Sequence, residues 1–423
     1  MPNGRIWIYV LLFFLSTINY VDRVVLSVAI VPLSDEFHID TVQKGYLFSA
    51  FLYSYLICLI PMGVIVDRFG TRAVNAAGMA LWSAATILTG GAWSYATLFA
   101  MRLAMGVGES TTYPAGGRVI REWVPRSERG FATAVFNSGA YFGPAFGSLV
   151  AGWLISVAGW RSTFFVAGAA GFVWLAAWLI WYRRPEDARF LGAEERARII
   201  AERDAGSVAL NQSGGASGVL ALLRQRSMWG LALTQGCAVY TQYLFLTWLP
   251  SYLQTSKDLS ILKTGFYSAM PYLISVVLGI LLGRVSDRML GGSGVQSGQR
   301  RRMVVAMMLS SAVILLAPFV DNIWAILLLI AVSLTGISTA VSLNIALTND
   351  LLRSAQDAGK AMGILIAGGN IFGILAPIVT GYVIAGTGSF NAAFVVAGLL
   401  LLTGATVSLT MTGNPIDTDP RTE

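Results

Sequence analysis

Residues 6–30 read IWIYVLLFFLSTINYVDRVVLSVAI. At ~1.5 Å per helical residue this stretch can cross a hydrocarbon core ~30 Å thick, yet it holds two adjacent charges, Asp22 and Arg23. An ionised side chain at mid-bilayer costs roughly 2.5–3.5 kcal/mol on insertion scales, so a span that keeps two is using them or pairing them. Working outward, apolar runs recur near 42–66, 74–92, 96–118, 130–157, 162–182, 227–253, 260–283, 302–320, 323–350, 361–385 and 390–411. With the first they make twelve. The expected fold is an all-α membrane protein of twelve transmembrane helices, and the span at 96–118 carries two more charges, Arg102 and Glu109.

The 423 residues are 55% hydrophobic and only 12% charged, about half the charge of an ordinary soluble domain, which excludes a soluble protein. In a soluble chain the net charge of +7 would point to nucleic acid; here its distribution says otherwise. Arginines crowd alternate loops: Arg68 and Arg72 after the second span, Arg121 and Arg129 after the fourth, Arg183 to Arg203 after the sixth, Arg300 to Arg302 after the eighth, Arg353 after the tenth. The positive-inside rule therefore puts both termini and the long central loop in the cytoplasm, with no nucleic-acid partner. The excess of Arg over Lys fits a GC-rich bacterial genome, so the expected location is the bacterial inner membrane. MPNGR ahead of a long charged span does not read as a cleaved signal, and the first span is expected to stay. Cys58 and Cys237 lie in apolar spans and read as small packing residues.

The polar segment 183–226 contains PED, the charged stretch AEERARIIAERDAG and the flexible NQSGGASG. It divides the chain into a six-span bundle at 1–182, a cytoplasmic linker, and a second six-span bundle at 227–423. Its charged stretch is expected to lie along the membrane surface or to project from it. Traces of duplication fit this division: Gly63-x-x-x-Asp67-Arg68 recurs as Gly283-x-x-x-Asp287-Arg288, and Gly152, Gly159 and Phe165 match Gly381, Gly388 and Phe394 at one offset of 229 (388 − 159). Small residues and proline cluster in the fifth span (Gly139, Gly143, Pro144, Gly147) and the eleventh (Gly369, Gly373, Pro377, Gly381), which fits either tight packing or bending between bundles.

Arg102 and Glu109 are seven residues apart, about 700° around a helix, so they share a face at ~10 Å separation. A buried guanidinium keeps its proton and needs an anion, either a protein carboxylate or a substrate's. A buried carboxylate is placed to exchange protons. When Asp22 or Glu109 is ionised it can neutralise Arg23 or Arg102; when protonated it releases the arginine to a substrate anion. The competing reading is a static set of structural ion pairs. In the second half Gln235, Gln242, Tyr243, Asn344 and Asn370 supply neutral hydrogen-bonding groups inside apolar spans. Asp67, Arg68 and Arg72, with Asp287 and Arg288, sit at cytoplasmic span ends, where an Asp and an Arg can bridge helices as a gate. GxxxxGK[ST], HExxH and GxSxG are all absent, so neither ATP nor a hydrolase reaction is indicated, and no metal or cofactor is expected.

GVIVDRFGTR at 63–72, RLAMG from Arg102 and the six-plus-six layout resemble the major facilitator superfamily. More narrowly, NYVDR at 19–23, FSAFLYSY at 48–55, RLAMGVGESTTYPA at 102–115, WVPRSERGFATAVFNSG at 123–139 and LTWLPSYL at 246–253 resemble its anion:cation symporter family, which includes bacterial proton-coupled sugar-acid carriers, sialin and vesicular glutamate carriers. The resemblance implies that Asp22 and Glu109 titrate with protons, that Arg23 and Arg102 lie near the substrate carboxylate, and that Tyr20, Tyr55 and Asn370 line the site. One position departs: the galactonate carrier has a glutamine where this chain has Ala140, which removes an amide partner for a sugar hydroxyl. The function expected is proton-coupled import of a small organic carboxylate by alternating access, in a protein that acts as a monomer. An anion exchanger, and a non-transporting membrane sensor, are the other readings.

Overall fold

The computed structural model describes residues 6–125, 128–188, 191–201, 219–290, 298–354 and 357–417, without the side chains of 280 and 283–290. The first part runs α1 (Ile6–Phe37), α2 (Thr41–Phe69), α3 (Thr71–Gly90), α4 (Tyr95–Glu109), α5 (Thr112–Trp123) and α6 (Arg129–Trp181). The second runs from a short α7 (Val219–Arg224) through α8 (Arg226–Thr255), α9 (Ile261–Leu290), α10 (Gln299–Ser311), α11 (Ile323–Leu351), α12 (Ala358–Thr387) and α13 (Phe390–Met411). A 3-10 turn, Ala312–Phe319, prolongs α10.

Among the described residues, nine helices are long and apolar enough to cross a membrane. One of them, the 53-residue α6, is two spans joined at Gly159, where φ of 78° and ψ of 166° break the helix. α4 and α5 form a further span, interrupted where the Ser110 and Thr111 hydroxyls donate to the Val107 and Gly108 carbonyls and Pro114 brings no N–H. α8, 30 residues long but more polar, completes the twelve expected from the sequence. The duplication has a structural counterpart: Gly159 and Gly388, 229 residues apart in sequence, both have positive φ, at 78° and 68°. At each the chain turns between consecutive spans through a conformation that costs a side-chain-bearing residue dearly.

The chain divides into two compact units, Met1–Asp40 with Leu47–Gln212 and Leu259–Ala269, and Thr41–Tyr46 with Ser213–Asp258 and Met270–Glu423. The core of the first unit gathers Leu12 and Leu15 of α1, Trp82 of α3, Trp123 of α5 and Trp178 of α6. Leu191 and Ile199 of the expected linker are buried in the same cluster, and Arg196 donates to the Ala188 carbonyl at 2.7 Å. The start of this segment is thus packed against the first unit rather than projecting as a solvated spacer, because Leu191 and Ile199 bury their side chains in that core; residues 202–218 lie outside the described part.

Glycines set the helix spacings around the site. A Cβ on Gly139 would come within 2.7 Å of Ser16, and one on Gly143 within 2.7 Å of the Thr17 carbonyl and Tyr20, so α6 lies directly on α1. A Cβ on Gly106 would stand 2.1 Å from the Phe51 carbonyl, which brings α4 hard against α2. In the fifth span, then, the small residues serve close packing. Cys58 and Cys237 are both free thiols.

Candidate functional site

Asp22, Arg23, Arg102 and Glu109 are all buried, at 2%, 4%, 2% and 0% exposure. α1 contributes the first two and α4 the others, with Glu109 at the last position of α4. The four do not pair as two symmetric couples. Arg23 donates from Nε to Glu109 Oε2 at 2.9 Å, and its Nη2 lies 2.8 Å from the same oxygen. Arg102 makes no ion pair among the described residues: its Nη1 donates to the Met105 sulfur at 3.0 Å and, weakly, to the Asp22 backbone carbonyl at 3.5 Å. Its Nε has no acceptor, and neither carboxylate oxygen of Asp22 has a donor at hydrogen-bonding distance.

Aromatic rings enclose the two guanidinium groups. Arg23 lies 4.8 Å from the centroids of Tyr20 and Phe51 and 5.4 Å from that of Tyr55; Arg102 lies 5.0 Å from the Phe51 centroid. A cation over a desolvated ring face gains roughly 0.5–2 kcal/mol, so the rings compensate part of the charge that carboxylates leave uncovered. The Tyr20 and Tyr113 hydroxyls stand 3.4 Å apart beside this cage. The arrangement can hold an anion. Arg102 presents N–H donors that no protein carboxylate occupies, and Arg23 would join it once Glu109 became neutral.

The sequence located Asp22, Arg23, Arg102, Glu109, Tyr20 and Tyr55 in one place, and the structure brings all six together within the first unit. It did not single out Phe51, although Phe51 and Tyr55 are one turn apart on α2 and so share a face. Nor did it single out Tyr113, inside the quoted ESTTYPA, or Trp82, whose indole N–H is buried against the Asp22 carboxyl. Ala140, the departing position, is buried on α6 one residue from Gly139 and three from Gly143.

In the second unit the neutral residues divide. Asn344 donates to Gln235 Oε1 at 3.1 Å and to the Leu231 carbonyl at 3.0 Å, a helix–helix tie between α11 and α8. Gln242 on α8 and Asn370 on α12 are half-buried. At the ends of the first unit's spans, Asp67 pairs with Arg118 at 2.9 Å, and Arg118 also holds Glu122 at 2.7 Å and donates to the Val66 carbonyl at 2.8 Å. Tyr182 donates to Glu122 at 3.1 Å. Arg72 donates instead to the Leu179 carbonyl at 2.6 Å, and Arg68 lies over the Phe69 ring at 5.4 Å. The side chains of Asp287 and Arg288 lie outside the described residues.

Residues 12–297 and 290–422 match the sequence profile of the Major Facilitator Superfamily. The chain is 34% identical over 407 residues to the probable galactarate/D-glucarate transporter of Bacillus subtilis, covering 93% of this chain and 89% of that one. It is 31% identical over 392 residues to the probable sulfoacetate transporter of Cupriavidus necator, covering 93% and 90%. A crystal structure of a D-xylose-proton symporter superposes with a TM-score of 0.74 at 13% identity, covering 98% of this chain and 99% of that one, which shows a shared fold. With the profile spanning nearly the whole chain and relatives that are named as transporters rather than enzymes, this protein belongs to the Major Facilitator Superfamily of membrane transporters.

Proposed function

We propose that the protein is a proton-coupled symporter that brings a small organic carboxylate, of the sugar-acid class, into a bacterial cell by alternating access between bundles at 1–182 and 227–423. The observation that carries this reading is the inequality of the two buried arginines: Glu109 pairs with Arg23, while Arg102 makes no ion pair among the described residues. A substrate carboxylate satisfies Arg102 first. A proton on Glu109 then frees Arg23 to engage the same anion, so proton and substrate enter together because each removes the other's penalty. The names carried by the galactarate/D-glucarate and sulfoacetate relatives support an organic anion as cargo.

Asp22 is the second proton carrier in this scheme. Tyr20 and Tyr55 shape the cage; Asn370 is assigned to the substrate on the strength of the family resemblance, and Gln242 as a neutral hydrogen-bonding group inside an apolar span. Asp67, Arg68, Arg72, Asp287 and Arg288 are assigned to gating at the cytoplasmic face of the inner membrane, where both termini and the 183–226 linker belong by the positive-inside rule.

The test is uptake of radiolabelled galactarate or glucarate in proteoliposomes under an imposed inward proton gradient. Accumulation that collapses with a protonophore is expected. Counterflow with no gradient-driven accumulation would instead select an exchanger of organic anions.

A further inference from the structure

Seven residues N-terminal to Thr89, α3 carries Trp82, fully buried, with an indole N–H that has no acceptor at hydrogen-bonding distance. Three other tryptophans of the first unit donate to fixed groups: Trp160 to Glu36 at 2.9 Å, Trp174 to the Leu11 carbonyl and Trp178 to the Arg72 carbonyl, each at 3.0 Å. Trp82 is aimed at a group whose charge can change. Its N–H lies against the Asp22 carboxyl without closing a bond of ordinary geometry, and both Asp22 oxygens are equally without a donor.

The placement is built by close packing. A Cβ on Gly108 would meet the Gly78 carbonyl at 2.6 Å and the Trp82 Cβ and N at 2.8 Å, so two glycines let α3 settle onto α4 one residue before Glu109. That contact fixes the Trp82 backbone, and the core around Leu12, Leu15 and Met79 fixes its ring. The charged groups facing Asp22 are Glu109 and Arg102 from α4 and Arg23 from α1; from α3 the neutral Trp82 donor faces it.

We infer that Trp82 is a positioning residue for proton coupling: its N–H engages Asp22 when that carboxyl gives up its proton and is released when the proton returns. This inference rests on the proposed symport, and it explains why a costly donor is left without a fixed partner. A hydrogen bond made only to the charged form favours that form, so it sets the pH at which Asp22 exchanges its proton.

Trp82→Phe removes the N–H and keeps most of the ring volume. Infrared titration of the purified full-length protein, with Asp22→Asn to identify the Asp22 carboxyl band, reads the group directly. In Trp82→Phe that band is expected to titrate about half to one pH unit higher than in the wild type. The alkaline limb of gradient-driven uptake should move with it. Introduced into Asp22→Asn, Trp82→Phe should leave the remaining carboxyl bands titrating where Asp22→Asn alone puts them. An Asp22 band unmoved by Trp82→Phe would overturn the inference, as would an equal shift of the remaining carboxyl bands in the Asp22→Asn background, which would mark a packing effect. Failure of proton-driven uptake in the wild type would count against symport, while the infrared titration would still decide the role of Trp82.

Discussion

Arg23 and Glu109, 86 residues apart in sequence, meet through the Arg23 Nε at 2.9 Å in a space with almost no exposure on either side. Arg102, on the same helix as Glu109, receives no such partner among the described residues. A buried ion pair contributes little net stability when complete, because desolvation offsets attraction, but removing one member leaves a charge with nowhere to go. The asymmetry gives the two arginines different sensitivities to mutation.

Arg102→Lys keeps the positive charge and loses the planar fork that matches a carboxylate. Substrate affinity is expected to fall roughly 10- to 100-fold, measured by thermal-shift titration with galactarate or glucarate. Unchanged affinity would remove Arg102 from the anion site.

Glu109→Gln preserves shape and removes the charge that restrains Arg23. Uptake should lose its response to an imposed proton gradient while counterflow persists. The unliganded protein should be destabilised by up to about 3–5 kcal/mol, with part of the loss restored by substrate, whose carboxylate takes the place of Glu109. Full gradient-driven accumulation by this variant would exclude Glu109 from proton coupling.

Gly106→Ala tests the packing that builds the aromatic cage. Its added methyl would collide with the Phe51 carbonyl, pushing α2 from α4 and drawing the Phe51 ring away from both guanidinium groups. A stability loss of about 1–3 kcal/mol is expected, accompanied by weaker substrate binding. Destabilisation with intact binding would mean that the cage tolerates displacement of α2.

Asp67→Asn separates gating from stability. Its partner Arg118 keeps Glu122 and the Val66 carbonyl, and Asp67 itself is largely exposed, so thermal stability should change by less than about 1 kcal/mol. Transport rate should nevertheless change if the pair must open and close in each cycle; a wild-type rate would remove Asp67 from the gate.

Much of this was legible from the chain because membrane solvation is a strict reader. Twelve long apolar runs forced twelve spans, and the cost of Asp22, Arg23, Arg102 and Glu109 in hydrocarbon forced them inward. Their pairing was not legible, since the separation along one helix said that Arg102 and Glu109 share a face and nothing about which residue of α1 would reach Glu109 first. Trp82 was invisible for a different reason: tryptophan is common in membrane helices, and only the absence of a fixed acceptor in three dimensions distinguishes it from Trp174 or Trp178. Arg118 read as the end of a span, although it is the group that Asp67 meets.

The single-residue turn at Gly159 also acts as a mechanical yoke. The arm of α6 before it lies on α1 through Gly139 and Gly143, and the arm after it lies on α3, where Gly168 and Gly171 abut Ser83. With no loop to take up slack, the helix that carries Asp22 and the helix that carries Trp82 are strapped to one bent rod. Their spacing is held at a point remote from both side chains, by the one residue in the turn that cannot be exchanged for a larger one without strain.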